Sequence, residues 1–368
     1  MAPVGVGVIG CGYWGPKLIR NFYELATAQV RMVAELQPER RGQLERQFPG
    51  VQTTANHDDV LADPAIEAVV IATPVRTHYT LAKQALEGGK HVLVEKPLAA
   101  SMAEAAELVA LSEERNLCLM VGHTFEYNPA VEELRRLVQS ETLGKIHYID
   151  TARLNLGLFQ QDINVMWDLA PHDISILLYI LGLDPLTVSA RGSGCVRPSI
   201  YDVVYLELCF PGNITAHVHV SWLEPCKVRR VTVVGDRKMA VYNDVAVEEK
   251  IKIYDKGVSL PATPGVPGEF QMSYRYGDIV SPRVVWQEPL RVECSHFVDC
   301  IRTARRPRSD GRSGWRVVRI LERAEQSLTH GGLRISVADG YADLPAALVG
   351  GSGNGHVPQP HLAPSGSQ

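Results

Sequence analysis

Gly10-Cys11-Gly12-Tyr13-Trp14-Gly15 follows the apolar run Val4–Ile9 without a spacer and leads straight into the amphipathic stretch Gly15–Leu25. A strand that ends in this glycine spacing and opens a helix is suited to a pyrophosphate. One glycine makes the tight turn, the second admits the phosphates to the backbone, and the third lets helix pack on strand. The helix N-terminus then presents unpaired N–H groups and the positive end of its dipole. Gly10, Gly12, Tyr13, Trp14 and Gly15 are therefore candidate cofactor contacts. The next apolar run, Val30–Ala34, ends in Glu35, 20 residues after Gly15, where a carboxylate would accept hydrogen bonds from an adenosine ribose diol. That acid points to NAD. Gln37, Arg40 and Arg41 lie just beyond and leave NADP open, because an arginine there would receive a ribose phosphate.

Outward from the loop, short β-branched runs keep alternating with amphipathic stretches. Ala68–Ala72, Val92–Val94 and Leu117–Val121 read as further strands, and Pro38–Gln47, His78–Glu87 and Met102–Arg115 as helices, the last N-capped by Ser101. This alternation predicts an α/β unit, a doubly wound parallel sheet over residues 1–123. Strand ends in such a sheet point into the ligand crevice. Thr73-Pro74 should thus line the nicotinamide half, with His78 a structural cap, and Glu95-Lys96-Pro97 should aim Lys96 at the same crevice.

Beyond a bridging helix near Pro129–Ser140 the period changes. Ile146–Arg153, Val203–Phe210, Ile214–Trp222, Val228–Val234, Lys238–Tyr242 and Ile251–Tyr254 are consecutive strands, the second and third joined by the turn Pro211-Gly212-Asn213. Hairpin-length connections predict an open, mostly antiparallel sheet, covered on one face by Asp168–Leu181 and Leu290–Thr303. The second unit is therefore α+β, over residues 124–345, with Arg312–His330 as its final helix. The Pro/Gly-rich stretch Pro261–Arg283 has no conformation set by its pattern, and residues 346–368 read as a disordered tail.

A net charge of -4 with both signs scattered along 368 residues offers no concentrated basic field for nucleic acid or an anionic membrane. The partner expected is a small molecule. Seven cysteines, mostly within apolar runs, suit a reducing cytoplasm rather than a disulfide scaffold. No apolar run approaches the roughly 20 residues that span a bilayer, and the first strand leaves no room for a signal sequence. No serine-hydrolase elbow or Cys-x-x-Cys pair is present. His217 and His219 share a strand face, and they read as part of the polar side of the sheet rather than as a metal site.

Asp168-Leu169-Ala170-Pro171-His172 opens a helix, and its four-residue spacing puts carboxylate and imidazole on one face. The acid would orient the imidazole, which would exchange a proton with a substrate hydroxyl, while Lys96 polarises the oxygen. Catalytic candidates are thus Lys96, His172 and Asp168. Candidate substrate contacts are His123, Tyr127, Arg153, Asn155, Asn164, Trp167 and His172 itself.

These residues, in this order and together with Asn128-Pro129, resemble the Gfo/Idh/MocA oxidoreductases over about residues 4–345. The resemblance implies a Rossmann domain followed by an open-sheet domain used for dimer or tetramer contacts. It also implies hydride transfer between NAD(P) and a ring carbinol or ketone of a sugar, nucleotide sugar or cyclitol, with Lys96, Asp168 and His172 at the positions of the family's catalytic lysine, aspartate and histidine and Glu95-Lys96 among the cofactor contacts. The segment Asn155–His172 is most similar to members acting on nucleotide-linked or antibiotic sugars, frequently at the third ring carbon. Ser175 stands where many members have an aspartate, and Asn164-Val165-Met166-Trp167 replaces a glycine-rich helix entry. Two other functions remain open on this scaffold: a non-catalytic dinucleotide-sensing regulator, and an imine or diol reductase.

Overall fold

The computed structural model describes residues 2–259 and 272–338. Six parallel strands form the first sheet: β1 (Val4–Ile9), β2 (Ala28–Ala34), β3 (Gln52–Thr54), β4 (Ala68–Ile71), β5 (His91–Glu95) and β6 (Leu119–Gly122). Helices α1 (Gly15–Tyr23), α2 (Pro38–Gln47), α3 (His57–Ala62), α4 (His78–Glu87) and α5 (Met102–Glu114) connect them. The strand order β3-β2-β1-β4-β5-β6 reverses direction between β1 and β4, which opens a crevice at the carboxyl ends of those two strands. β1 and β4 are buried along their whole length, which is why they read as continuous apolar runs. β3 and α3 are additions to the sequence expectation. β3 is a polar three-residue edge strand without a hydrophobic period, and α3 is a short helix capped where Asp58 N–H donates to Asn56 Oδ1 at 3.1 Å.

After α6 (Pro129–Gln139) comes β7 (Ile146–Leu154), then α7 (Val165–Leu181), then β8 (Thr187–Ser193), β9 (Val203–Phe210), β10 (Ile214–Ser221), β11 (Val228–Gly235), β12 (Met239–Asn243), β13 (Ile251–Ser259) and β14 (Ser273–Val280). With β15 (Ile335–Ser336) these make a nine-stranded sheet in the order β14-β13-β12-β11-β7-β10-β9-β8-β15. Every pairing is antiparallel except β10 with β7. The open, mostly antiparallel expectation thus holds. β14 is ordered strand inside the stretch Pro261–Arg283 that the sequence pattern left unassigned; residues 346–368 lie outside the described residues.

One assignment changes. Helix α8 (Pro289–Thr303), expected on the second sheet, packs instead on α1 of the first half. Phe297 meets Phe22 edge-on at 6.3 Å between ring centroids, Arg291 pairs with Glu24, and Arg20 pairs with Glu288. Leu290, Cys294, Phe297 and Val298 join the core formed with Val6, Leu18, Ile19 and Phe22. The amphipathic period of α8 reports that one face is buried, not which sheet buries it. Helix α9 (Gly311–Thr329) spans both halves, packing on α5 and on β8.

Candidate active site

The glycine loop divides its roles by geometry. Gly10 has φ +95°, and a Cβ there would lie 2.6 Å from the Ala72 carbonyl oxygen; one on Gly15 would lie 2.5 Å from the Gly10 oxygen. A Cβ on Gly12 would meet nothing within 4 Å. Two glycines are therefore required by the fold, and the third leaves an open face where a pyrophosphate fits above the N-terminus of α1. Glu35 is buried at the end of β2, and both its oxygens are fixed by main-chain donors, Cys11 N–H to Oε2 at 2.8 Å and Gln37 N–H to Oε1 at 2.9 Å. Arg40 lies 3.9 Å from Oε2, while Arg41 donates to the main-chain carbonyls of Glu35 and Leu36. The acid is thus braced just past the end of β2, and Arg41 is occupied by backbone. Burial, then the Glu35 charge, pushes the Cys11 thiol up to about 11.

Tyr13 is exposed, and the Lys17 ammonium sits 3.8 Å from its ring centroid and 4.3 Å from that of Trp14. Hydrogen bonding by the Lys17 ammonium, then its charge, lowers the Tyr13 phenol. At the end of β4, Thr77 Oγ1 donates to Thr73 Oγ1 at 2.8 Å, and Pro74 precedes a single 3-10 turn. The buried His78 ring bridges the carbonyl oxygens of Thr73 and Pro97, each at 2.8 Å. It ties the end of β4 to the turn after β5, a structural role other than the expected cap on the following helix, and burial holds its imidazole below the ordinary value.

Lys96 follows β5, with a cis peptide to Pro97. Its ammonium donates to the Asp168 carbonyl oxygen at 2.6 Å and faces Asp168 Oδ1 at 3.4 Å. The other carboxylate oxygen of Asp168 accepts from Trp222 Nε1 at 3.0 Å. The expected bond from Asp168 to His172 is therefore replaced by bonds to a lysine and an indole from two other elements. His172 is oriented by packing, its ring edge-on to Phe125 at 5.2 Å between centroids, and its Nδ1 has no partner among the described residues. Burial first, then the charges of Lys96, Arg153 and Arg229, hold the imidazole well below its ordinary value, so it is neutral at neutral pH. Glu95 behind Lys96 is pushed up to about 7 by burial, against the pull of the ammonium. Lys96, with Glu95 beside it in sequence, thus stands at the carboxyl end of β5, the end of the parallel sheet that also carries the glycine loop, and its charge reaches the His172 imidazole.

Other sequence candidates are turned to structural work. His123 is fully buried, and burial together with Lys96 pushes it down to about 3. Tyr127 is buried with its hydroxyl 3.0 Å from Ser309 Oγ. Arg153 is buried in a two-pronged pair with Asp173, at 2.6 and 3.3 Å, beneath the Phe125 ring. Asn164 caps α7, its Oδ1 accepting from the N–H groups of Met166 and Trp167, while its Nδ2 and the Trp167 indole both donate to Glu325. Asn155 is half-buried, its Nδ2 3.1 Å from where a Cβ on Gly157 would lie. Asn164→Ala should cost about 1–2 kcal/mol through the lost cap, seen as a lower urea midpoint with kcat nearly unchanged. A kcat loss of tenfold or more at unchanged stability would return Asn164 to the substrate.

The sequence reading missed Trp222, Phe125 and Phe159. Each sits in an apolar run or loop that reads as core, and none carries a local signal of what it meets across the fold. On the second sheet, His217 faces Asp150 at 3.1 Å and Glu207 at 3.6 Å, and the His219 ring stacks on Tyr205 at 4.2 Å. Among the described residues no three His, Cys, Asp or Glu side chains are grouped to hold a metal ion, and no helix is long and apolar enough to cross a membrane.

Comparison with known proteins agrees with this geometry. The Gfo/Idh/MocA family model, an oxidoreductase family with an NAD-binding Rossmann fold, matches residues 4–123, and the C-terminal domain model of the same family matches residues 131–241. The UDP-N-acetylglucosamine 3-dehydrogenase of Acidithiobacillus ferrooxidans is 28% identical, covering 86% of this chain and 95% of that protein. Its solved structure superposes with a TM-score of 0.73 over 90% of this chain and 99% of that one, at 24% identity. The scyllo-inositol 2-dehydrogenase (NAD(+)) of Bacillus subtilis is 24% identical, covering 83% of this chain and 88% of that protein.

Proposed function

Since the chain belongs to the Gfo/Idh/MocA oxidoreductases and is an NAD(P)-dependent dehydrogenase, we propose that it transfers hydride between NAD and a ring carbinol or ketone of a sugar, nucleotide sugar or cyclitol. The observation that carries this reading is the Lys96 ammonium, held by Asp168 at the carboxyl end of β5, with the His172 ring close enough to feel its charge and its Nδ1 without a partner among the described residues. The dinucleotide would be held by the open face at Gly12, by Glu35 and by the strand ends at Thr73-Pro74 and Glu95-Lys96. Bound there, the nicotinamide supplies or accepts the hydride. Lys96, anchored on Asp168, hydrogen-bonds the reacting oxygen and stabilises its alkoxide character. His172 takes the hydroxyl proton during oxidation and returns it during reduction. The low imidazole pKa sets the sign of the pH response: as pH falls through 6.5 the base stays unprotonated, and oxidation declines only in more acidic solution.

NAD is favoured over NADP because both oxygens of Glu35 are fixed at the ribose position and Arg41 is spent on main-chain carbonyls. A nucleotide-linked sugar oxidised at its third ring carbon is the finer reading, supported by the likeness to the Acidithiobacillus enzyme. The open face of the second sheet, with Tyr148 and Tyr205 exposed, is the proposed dimer or tetramer contact, residue 123 the proposed domain boundary, and a reducing cytoplasm the proposed compartment for seven unpaired cysteines. The test is to mix purified protein with NAD or NADP and a panel of UDP-sugars, aldoses and inositols, following reduced nicotinamide by absorbance. Turnover should appear with NAD, several-fold faster than with NADP. Absence of hydride transfer across the panel and in the reverse direction, with dinucleotide bound, would sink the reading.

A further inference from the structure

The Asp168 carboxylate has two basic groups within reach of its place on α7: Lys96 across the crevice and His172 one turn on, along the same helix face. It is bonded to the first and not to the second. Trp222 directly follows β10 and is only 1% exposed, and its indole N–H donates to Asp168 Oδ2 at 3.0 Å. The indole is itself held. Phe159 packs on it at 5.5 Å between centroids, Gly157 N–H donates to the Trp222 carbonyl oxygen at 2.9 Å, and a Cβ on Gly157 would lie 2.8 Å from the indole Cδ1. With Oδ2 taken, Oδ1 and the Asp168 carbonyl are left facing the Lys96 ammonium.

We infer that Trp222 is a positioning residue that assigns Asp168 to Lys96 and so keeps His172 without a carboxylate partner. The groups facing the imidazole fit this assignment. They are Lys96 after β5, His123 after β6, Arg153 on β7 and Arg229 on β11, with the Phe125 ring against its edge. The carboxylates beside the two arginines are already engaged, Asp173 by Arg153 and Asp244 by Arg229 at 3.4 Å. Asp168, four residues away, is the acid able to reach the ring once the indole releases it. An imidazole paired with a carboxylate would protonate at higher pH and cease to be a base there.

The catalytic consequence rests on the function proposed above, but the test needs no substrate. Deuterium exchange at the imidazole Cε1 of each histidine, read by mass spectrometry across pH on the full chain, gives the titration of His172 directly. In the wild type its inflection should lie well below 6.5. In Trp222→Phe it should rise by about one unit or more, the ordinary effect of a carboxylate moving beside an imidazole. The double variant Trp222→Phe/Asp168→Asn should bring it back down. Gly157→Ala, which displaces the indole and leaves every ionisable group in place, should raise it in the same direction, and it decides the matter if Trp222→Phe does not fold. An unchanged His172 inflection overturns the assignment, and so does an equal rise at His172, His123 and His91, which would mean general loosening. Because exchange proceeds without turnover, failure here is distinct from failure to find hydride transfer.

Discussion

Lys96→Ala lowers kcat about a thousandfold while leaving dinucleotide affinity within a few-fold. The expected size is that of removing a charged donor from an oxygen that gains negative charge in the transition state, roughly 10²–10⁴ in rate. Dinucleotide binding largely survives because the glycine loop after β1 and Glu35 after β2 remain in place when the Lys96 contact is lost. A second effect has a definite sign. The Lys96 charge is among those holding His172 down, so its removal lets the imidazole rise, and the acid limb of the residual oxidation rate moves to higher pH. Lys96→Arg does not rescue, because a larger guanidinium with its donors fixed in a plane cannot occupy the place of the compact ammonium between the Asp168 carbonyl and the substrate oxygen. Single-turnover rates with cofactor saturated, measured across pH, check all three points. A Lys96→Ala enzyme with wild-type kcat would remove the lysine from the chemistry.

Asp173→Ala unfolds the protein about 3–5 kcal/mol more easily. Arg153 and Asp173 are both buried, and truncating the acid leaves an uncompensated guanidinium in the core of the second half. The double change Arg153→Met/Asp173→Leu should recover most of that loss, since the desolvation penalty of both charges is then removed. Urea midpoints for the three variants decide it, and a double variant no more stable than the single one would show that the pair itself, rather than the orphaned charge, sustains the fold. Arg153 lies 4.4 Å over the Phe125 ring, and the same ring packs edge-on with His172. Asp173→Ala should therefore also lower kcat at temperatures where it remains folded.

Much of the cofactor half was legible before the fold was known, because its signals are local. The glycine spacing, the acid 20 residues on, and the apolar runs of β1, β2, β4, β5 and β6 each depend on a few consecutive residues and a backbone that has only one way to use them. β3, three polar residues on a sheet edge, carries no such period and was invisible. The chemical half was legible in its residue types and not in its contacts. Lys96 and Asp168 are brought together across 72 positions of chain, and Trp222 reaches Asp168 across 54.

Candidates such as Tyr127, Arg153, Asn164 and Trp167 show the limit from the other side. A polar side chain near a presumed crevice can face substrate or satisfy a buried donor, and composition alone weighs both equally. In the folded chain they go to Ser309, Asp173 and Glu325. Helix α8 makes the same point for packing: its amphipathic face was apparent, and its partner was α1 of the first half rather than the nearer sheet in sequence.

The sequence by itself determined the α/β character of the first half, the open sheet of the second, the dinucleotide loop and the presence of an ammonium, an acid and an imidazole in order along the chain. These follow from periods of two and 3.6 residues and from glycine's lack of a side chain, which act over short distances. Only the tertiary structure decided which base the acid serves. That choice depends on an indole delivered by a different sheet strand, and hydrogen bonds between elements are set by how the elements pack, not by what either one says alone.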